Sequence, residues 1–404
     1  MASTSTSTEI VVVGNGLFGS AAVRHLAQRG RSVVCIGAAS SGPDVRATTE
    51  SNWHEHRVYA SHNDAGRLTR LQDRDAAWAE VTARGVAAYR ALEAESGIAF
   101  YHDVGCLIVS RPGGDGINAD PLDIMNETGT EYVMHETGDL AWQQRWPEIS
   151  FPPTHYVAFE PAPAGWIAPK RMIEAQNVVA SRAGAQFIED TVINVERHAV
   201  EGSSIDASGT GHRVTTAGGL VVDAEQVLVA AGAFANFNGL LPEPVPTTLK
   251  SEVIVLGEVA PAAAEALARF PTVKYLCDPG DLEGIYMVPP IRYEDGRYYV
   301  KLGANTRLDQ WMTELAEVQR WFNTDTDPDY LPIYEPVLRD LWPTVDFVSI
   351  RTQPCVITYT PDRFPLIDDL GGGLFVATAG NGGGAKGSDA WGADAAALMG
   401  AATG

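Results

Sequence analysis

One stretch limits what this chain can fold into more than any other. Glu9 to Gly14 is a short, branched apolar run that leads straight into Gly14-Asn15-Gly16-Leu17-Phe18-Gly19. The run reads as a parallel strand buried on both faces. Gly16 to Arg29 then reads as a helix, with Ala21, Ala22, Leu26 and Ala27 as its small and apolar positions. After the turn at Gly30, Ser32 to Ile36 is a second buried strand. In a G-x-G-x-x-G turn the first glycine makes the tight bend and the second lets a pyrophosphate approach the backbone. The third lets helix and strand pack closely, and the helix N-terminus faces the anion. The pattern predicts a dinucleotide site on Gly14, Gly16 and Gly19.

One place in that pattern is not filled. The second strand should end in an acid that holds the adenosine ribose hydroxyls. Gly37 stands there, and Ser40, Ser41 or Asp44 are the available substitutes. The loss weakens an NAD reading, since that acid is what excludes NADP. An FAD held by many other contacts tolerates it better.

A length of 404 residues exceeds one ordinary core and predicts two domains. Lys plus Arg is 29 and Asp plus Glu is 51, a net charge of −22. That field repels phosphate backbones and anionic lipid, so nucleic acid and membranes are excluded as partners. No run reaches the ~18 apolar residues of a spanning helix. Met1 to Thr8 is a Ser/Thr tail without the basic and apolar parts of an export leader, and Ala401 to Gly404 is no peroxisomal tripeptide. Cys35, Cys106, Cys277 and Cys355 lack metal-type spacing and read as free thiols. Cytoplasm is the expected location. His54-Glu55-His56 lacks zinc spacing and reads as a polar loop, and Trp53 and Trp166 read as packing residues.

Farther along, Asp75 to Ser96 and Pro169 to Ala183 predict helices. Cys106 to Ser110, Ala185 to Ile188 and Val192 to Arg197 predict strands. Gly113 to Asp123 reads as a loop, as does Pro161 to Trp166. His212 to Thr216 and Gly219 to Val222 suggest a hairpin, and Val227 to Ala231 a separate buried strand. The segment up to about Val345 is mixed. Cys355 to Tyr359 and Leu374 to Ala379 are strands, followed by a Gly-rich turn (Gly380 to Gly384) and an Ala-rich helix.

Three further stretches separate FAD from NAD. They are Ser61 to Arg70, Lys301-Leu302-Gly303-Ala304-Asn305, and Cys355 to Asp362 continuing to Gly382-Gly383-Gly384-Ala385-Lys386. With the N-terminal glycines and Ala230-Ala231-Gly232-Ala233-Phe234, their order over the whole chain resembles the monomeric sarcosine oxidase family. That family belongs to the glycine oxidase and D-amino-acid oxidase superfamily of FAD amine oxidases. The resemblance implies an α/β fold, with a Rossmann-type FAD-binding domain beside a mixed-sheet substrate domain. It places residues 1–100, 160–234 and 346–404 in the first and 101–159 and 235–345 in the second.

Residue by residue, the resemblance implies FAD joined covalently to Cys355, seven residues before Asp362; the alternative is a buried core thiol. It places Lys301 near the flavin as the promoter of reaction with oxygen, where the alternative is an exposed lysine. The alternation of Tyr298, Val300 and Leu302 predicts that Lys301 points away from one buried face. Arg70 and Lys386 correspond to the pair that binds a substrate carboxylate, for which a solvated face is the alternative at Arg70. Arg67 corresponds to an arginine by the flavin, Tyr286 to an active-site tyrosine, and Gly232 and Gly382 lie in the cofactor-contacting turns.

The chain departs from the family at three places. Asn63 and Asn305 stand where histidines are expected, and Ile357 replaces a tyrosine. The implied activity is an FAD-dependent oxidase acting on the C–N bond of a small secondary or cyclic amino acid or amine. Its products are an imine and hydrogen peroxide. An FAD amine dehydrogenase that passes electrons to a carrier, and a catalytically silent flavoprotein subunit, stay open as alternatives.

Overall fold

The computed structural model describes residues 6–38, 60–113, 120–199 and 210–401. Ser40, Ser41, Asp44, Trp53 and His54 to His56 lie outside the described residues.

The first sheet is built around the N-terminal strand Thr6–Val13, which is parallel to Val33–Gly37 on one side and to Val221–Val229 on the other. Gln186–Glu189 extends it beyond Val33–Gly37, and Leu374–Thr378 joins beside Val221–Val229, both in parallel. Helices Leu17–Gln28, Pro169–Arg182 and Ser388–Ala401 lie against each other on this sheet. Their seam holds a buried polar knot in which Asp389 accepts from Arg24 at 2.6 Å and from Gln176 at 2.8 Å. Ile10, Val12, Leu26, Cys35, Leu228 and Phe375 pack into one core there. The ends of Thr6–Val13, Val33–Gly37 and Val221–Val229 all face one crevice, the usual place for a ligand on an open parallel sheet.

A second sheet of nine strands is mixed. Thr248–Val259 runs near one edge of it, antiparallel to Tyr298–Thr306 on one side and to the long strand Phe347–Tyr359 on the other. Leu282–Arg292, Thr272–Tyr275, Cys106–Ser110 and Tyr156–Glu160 continue it outward. Arg67–Thr69, Gly165–Ile167 and Tyr101–His102 form a separate three-stranded sheet. Trp166 is in it, paired with Leu68 and stacked on His102 at 3.7 Å.

Several expectations from the sequence need correction. The second hairpin strand and the buried run after it are one strand, Val221–Val229. Its burial alternates at first and then becomes continuous, because its far half enters the core between Thr6–Val13 and Leu374–Thr378. The loop at Gly113 to Asp123 gives way to helix Pro121–Thr128, capped by the Asp120 carboxylate on Leu122 N–H. Helix Asp327–Leu341 was hidden by Pro332 and Pro336. Both prolines lie on its exposed side, while Tyr330, Tyr334, Leu338 and Leu341 form the buried one. Lys301 does not face solvent on a one-sided strand. Both faces of Tyr298–Thr306 are covered, and Lys301 is 0% exposed.

Candidate active site

A cavity of about 800 Å³ lies between the strand ends of the first sheet and the second sheet. One arm of it is formed by the glycine turn. Gly14 has φ +107°, and a Cβ there would sit 2.5 Å from the Ala230 carbonyl oxygen. A Cβ at Gly19 would strike the Gly14 carbonyl. Helix Leu17–Gln28 begins at Gly16 without a side-chain cap and without an acid in its first turn. Its first N–H groups therefore have no intrahelical acceptor and favour an anion. Gly232 and Gly382 line the same space with φ +56° and +76°.

The missing ribose acid has a steric reason. A Cβ at Gly37 would meet Asn15 N at 2.7 Å, so Asn15 occupies the room an acid would need. Asp190 and Thr191 line the cavity next to this strand end, and Asp190 N–H donates to the Gly37 carbonyl at 3.1 Å. The bare helix terminus, the glycine cradle and the volume of the cavity fit a dinucleotide such as FAD. Among the described residues no His, Cys, Asp and Glu cluster could hold a metal ion.

The other arm carries the charged residues. Arg67, Arg70, Tyr286, Asn63, Asn305, Cys355 and Lys386 all line it. Lys301 does not line it. Its ammonium lies 5.2 Å from the Tyr286 ring, donating to Asp64 Oδ2 at 2.7 Å and to the Gly66 carbonyl at 2.6 Å. Arg67 also pairs with Asp64, and Tyr293 Oη donates to its other oxygen at 2.8 Å. Burial and then Arg67 push the Lys301 ammonium well below its ordinary pKa, against the pull of Cys355 and Glu252. Tyr286 can lie flat on the sheet because the residue across from it is Gly303, where a Cβ would strike the ring.

Lys386 is 3% exposed and makes an ion pair with the equally buried Asp73. Burial and then Arg70 lower its pKa to about 8, against the pull of Asp73. Arg70 Nε donates to Gln72 Oε1 at 2.9 Å. The segment holding Arg70 and Asp73 is fixed by Glu160, which accepts from Leu71 N at 2.6 Å and Gln72 N at 3.2 Å. Burial raises the Glu160 carboxyl to about 7 despite those donors.

Cys355, Ile357 and Tyr359 alternate on the cavity side of Phe347–Tyr359. The Cys355 thiol is free and half-buried. Across the ladder from Cys355 stands Glu252, also lining the cavity. Glu252 accepts from Lys250 Nζ at 2.9 Å, and Lys250 also donates to Asn305 Oδ1 at 2.8 Å and pairs with Asp309. Burial raises Glu252 to about 7.

Sequence reasoning missed Asp64, Asp73, Glu160, Lys250, Glu252 and Lys274. A signal existed for two of them: Lys250 and Glu252 stand two apart just before the apolar run Val253 to Leu256 of one strand and so share one face.

The model of the DAO family, described as FAD dependent oxidoreductase, matches residues 9–398. No curated protein sequence matches the chain. Among solved structures the chain is similar to NikD, described as an unusual amino acid oxidase essential for nikkomycin biosynthesis. The identity is 21% and the TM-score 0.73, over 98% of this chain and 94% of that one. It is also similar to a glycine oxidase from Bacillus cereus, at 19% identity and TM-score 0.66 over 98% and 95% of the two chains. The L-proline dehydrogenase from P. horikoshii is 19% identical with a TM-score of 0.65, over 98% and 94%. These likenesses are of fold. No helix among the described residues is long and apolar enough to cross a membrane.

Proposed function

The chain belongs to the DAO family of FAD dependent oxidoreductases, and from that premise we propose that it oxidises the C–N bond of a small secondary or cyclic amino acid or amine. In this reading molecular oxygen is the electron acceptor, and the products are an imine and hydrogen peroxide. The observation that carries the reading is the pair Arg70 and Lys386 on one cavity with the uncapped helix terminus. A carboxylate entering an apolar pocket loses hydration that fixed cations must replace. Among the similar structures, NikD and glycine oxidase are amino acid oxidases by description.

Bound FAD would supply the hydride acceptor for the carbon next to nitrogen. The glycine turns at Gly14, Gly16, Gly19, Gly232 and Gly382 would hold it. Cys355, a free thiol on the cavity wall, is the residue proposed to bond it covalently. Arg70 and Lys386 bind the carboxylate, with Asp73 holding Lys386 and Glu160 holding the segment of Arg70. Ile357 closes the wall beside Cys355 with an apolar surface that excludes water. Asn63 and Asn305 offer hydrogen bonds in place of histidines but exchange no proton near neutral pH. Lys301 serves oxygen from behind Tyr286. The domain division proposed from the sequence puts 346–404 with the FAD-binding part. Phe347–Tyr359 then acts as a shared element, because it ladders onto Thr248–Val259 in the second sheet.

The test is a peroxide-release screen of the purified yellow protein over secondary, cyclic and N-methyl amino acids and the matching amines. One class should bleach the flavin without air and release peroxide with it. A protein whose flavin no amine or amino acid bleaches would overturn the reading.

A further inference from the structure

The cavity wall carries a lysine that the carboxylate site of Arg70 and Lys386 does not use. Lys274, on strand Thr272–Tyr275, lines the cavity, and its Nζ donates to the Gly284 carbonyl at 2.6 Å. Among the described residues no carboxylate pairs with it. The other buried lysines around the cavity all have a carboxylate partner. Lys386 is paired with Asp73, Lys301 with Asp64, and Lys250 with Glu252 and Asp309. Asp73 therefore cancels half of the charge that Arg70 and Lys386 offer a ligand.

We propose that Lys274 is the cation that completes the carboxylate site, and that capture of the substrate carboxylate is coupled to uptake of a proton on its Nζ. This rests on the amino-acid reading above.

The groups that face Lys274 set the coupling. Arg70 and Lys386 repel its charge. Glu252 attracts it but is already tied to Lys250, and the Cys106 thiol lies on the neighbouring strand. Glu160 lies one strand farther out, opposite Cys106. Across the ladder on Leu282–Arg292 stands Tyr286, and the Asn305 amide lies close to Gly284. With burial the largest cause, the ammonium is pushed down to about 7. At neutral pH the free site thus holds about half a proton on Nζ. A carboxylate seated on Arg70 adds a negative charge beside that nitrogen and raises its pKa again, so the ligand draws the proton in. Below pH 7 the proton is already present. Above pH 7 it must be taken from solvent, and affinity falls by up to about tenfold per pH unit.

The experiment uses flavin-loaded enzyme and cyclopentanecarboxylate, a cyclic acid with no nitrogen to oxidise. Its Kd is read from the flavin absorbance change between pH 6 and pH 9. Wild type should weaken by roughly fiftyfold from pH 7 to pH 9. Calorimetry at pH 8 in buffers of different ionisation heat should register close to one proton taken up. Lys274→Met should bind at least about tenfold more weakly at pH 6 and lose the slope between pH 7 and pH 8. Lys274→Arg, which keeps a permanent charge, should bind tightly and stay flat to about pH 8, keeping only the fall above it that Lys386 gives. Glu160 and Glu252 also titrate near 7. A slope between pH 7 and pH 8 that persists in Lys274→Arg belongs to them and overturns the proposal, even if Lys274→Met does not fold. Arg70→Met separates the two readings. If it leaves binding unchanged, no carboxylate sits there and both fail. If it abolishes binding while Lys274→Met keeps wild-type affinity and slope, only the role of Lys274 fails.

Discussion

Replacing Lys301 by Met removes a charge while keeping nearly the length of the side chain. Deleting one partner of a buried ion pair costs about 3–5 kcal/mol when the other charge is left alone. Asp64 is not left alone, because it keeps Arg67 and the Tyr293 hydroxyl at 2.8 Å. What is lost is one charged hydrogen bond to Asp64 and one to the Gly66 carbonyl, each worth about 1.5–3 kcal/mol. Against that, the desolvation that pushes the Lys301 ammonium well below its ordinary range is relieved, and it is worth several kcal/mol. The net destabilisation expected is about 2 kcal/mol, leaving the enzyme folded and yellow. Urea titration measures that term, and a cycle with Asp64→Asn should give a coupling of about 1 kcal/mol or more. Stopped-flow measurements then separate the half-reactions. Reoxidation by oxygen should slow by on the order of a hundredfold, as for loss of a preorganised charge. Anaerobic reduction by substrate should change far less. Two half-reactions that slow equally, or Asp64→Asn alone matching Lys301→Met in both, would refute the role and leave Lys301 as a structural cation.

Three other outcomes are expected. Acid precipitation should leave yellow colour in the wild-type pellet and none in Cys355→Ser; a colourless wild-type pellet removes the covalent link. Lys386→Ala should weaken productive capture of an amino acid by roughly thirtyfold, since breaking a desolvated pair costs about 2 kcal/mol or more. The decarboxylated amine should be nearly indifferent, and an amine that turns over as well as its acid would remove the carboxylate site. Gly37→Asp should lower flavin content despite restoring the usual acid, because its Cβ would lie 2.7 Å from Asn15 N. Undiminished flavin in that variant would mean that Asn15 moves freely.

The parts of the site that could be read from the sequence are those whose signal is local. The glycine turn, the strand before it and the helix after it are contiguous. Cys355 and Asp362 carry their spacing along one segment. The counter-ions could not be read this way. Asp73 and Lys386 are far apart in the chain, as are Asp64 and Lys301, and nothing local says which acid meets which base. Lys301 looked one-sided because its alternating neighbours are apolar, while the second cover over its strand comes from distant chain. Lys274 passed as an ordinary charge in a short strand, since its meaning comes from a carboxylate that does not pair with it. Helix Asp327–Leu341 was obscured for a different reason. Its prolines fall on the side where a lost hydrogen bond is made good by water.

The sheet that cradles the glycine turn takes its strands from the two ends of the chain. Thr6–Val13 and Val33–Gly37 are made first, but Leu374–Thr378 lies beside Val221–Val229, and Ser388–Ala401 packs on Leu17–Gln28. Gly382 and Lys386 reach the cavity only with that last segment. During synthesis the first helix therefore waits for residue 389 before Asp389 can meet Arg24, 365 residues away. Contacts that close so long a loop form late and slowly. A nascent chain that has not yet made residues 374–386 has no complete cradle, so stable loading of the cofactor, and any bond made to Cys355, must wait for that segment to fold into place.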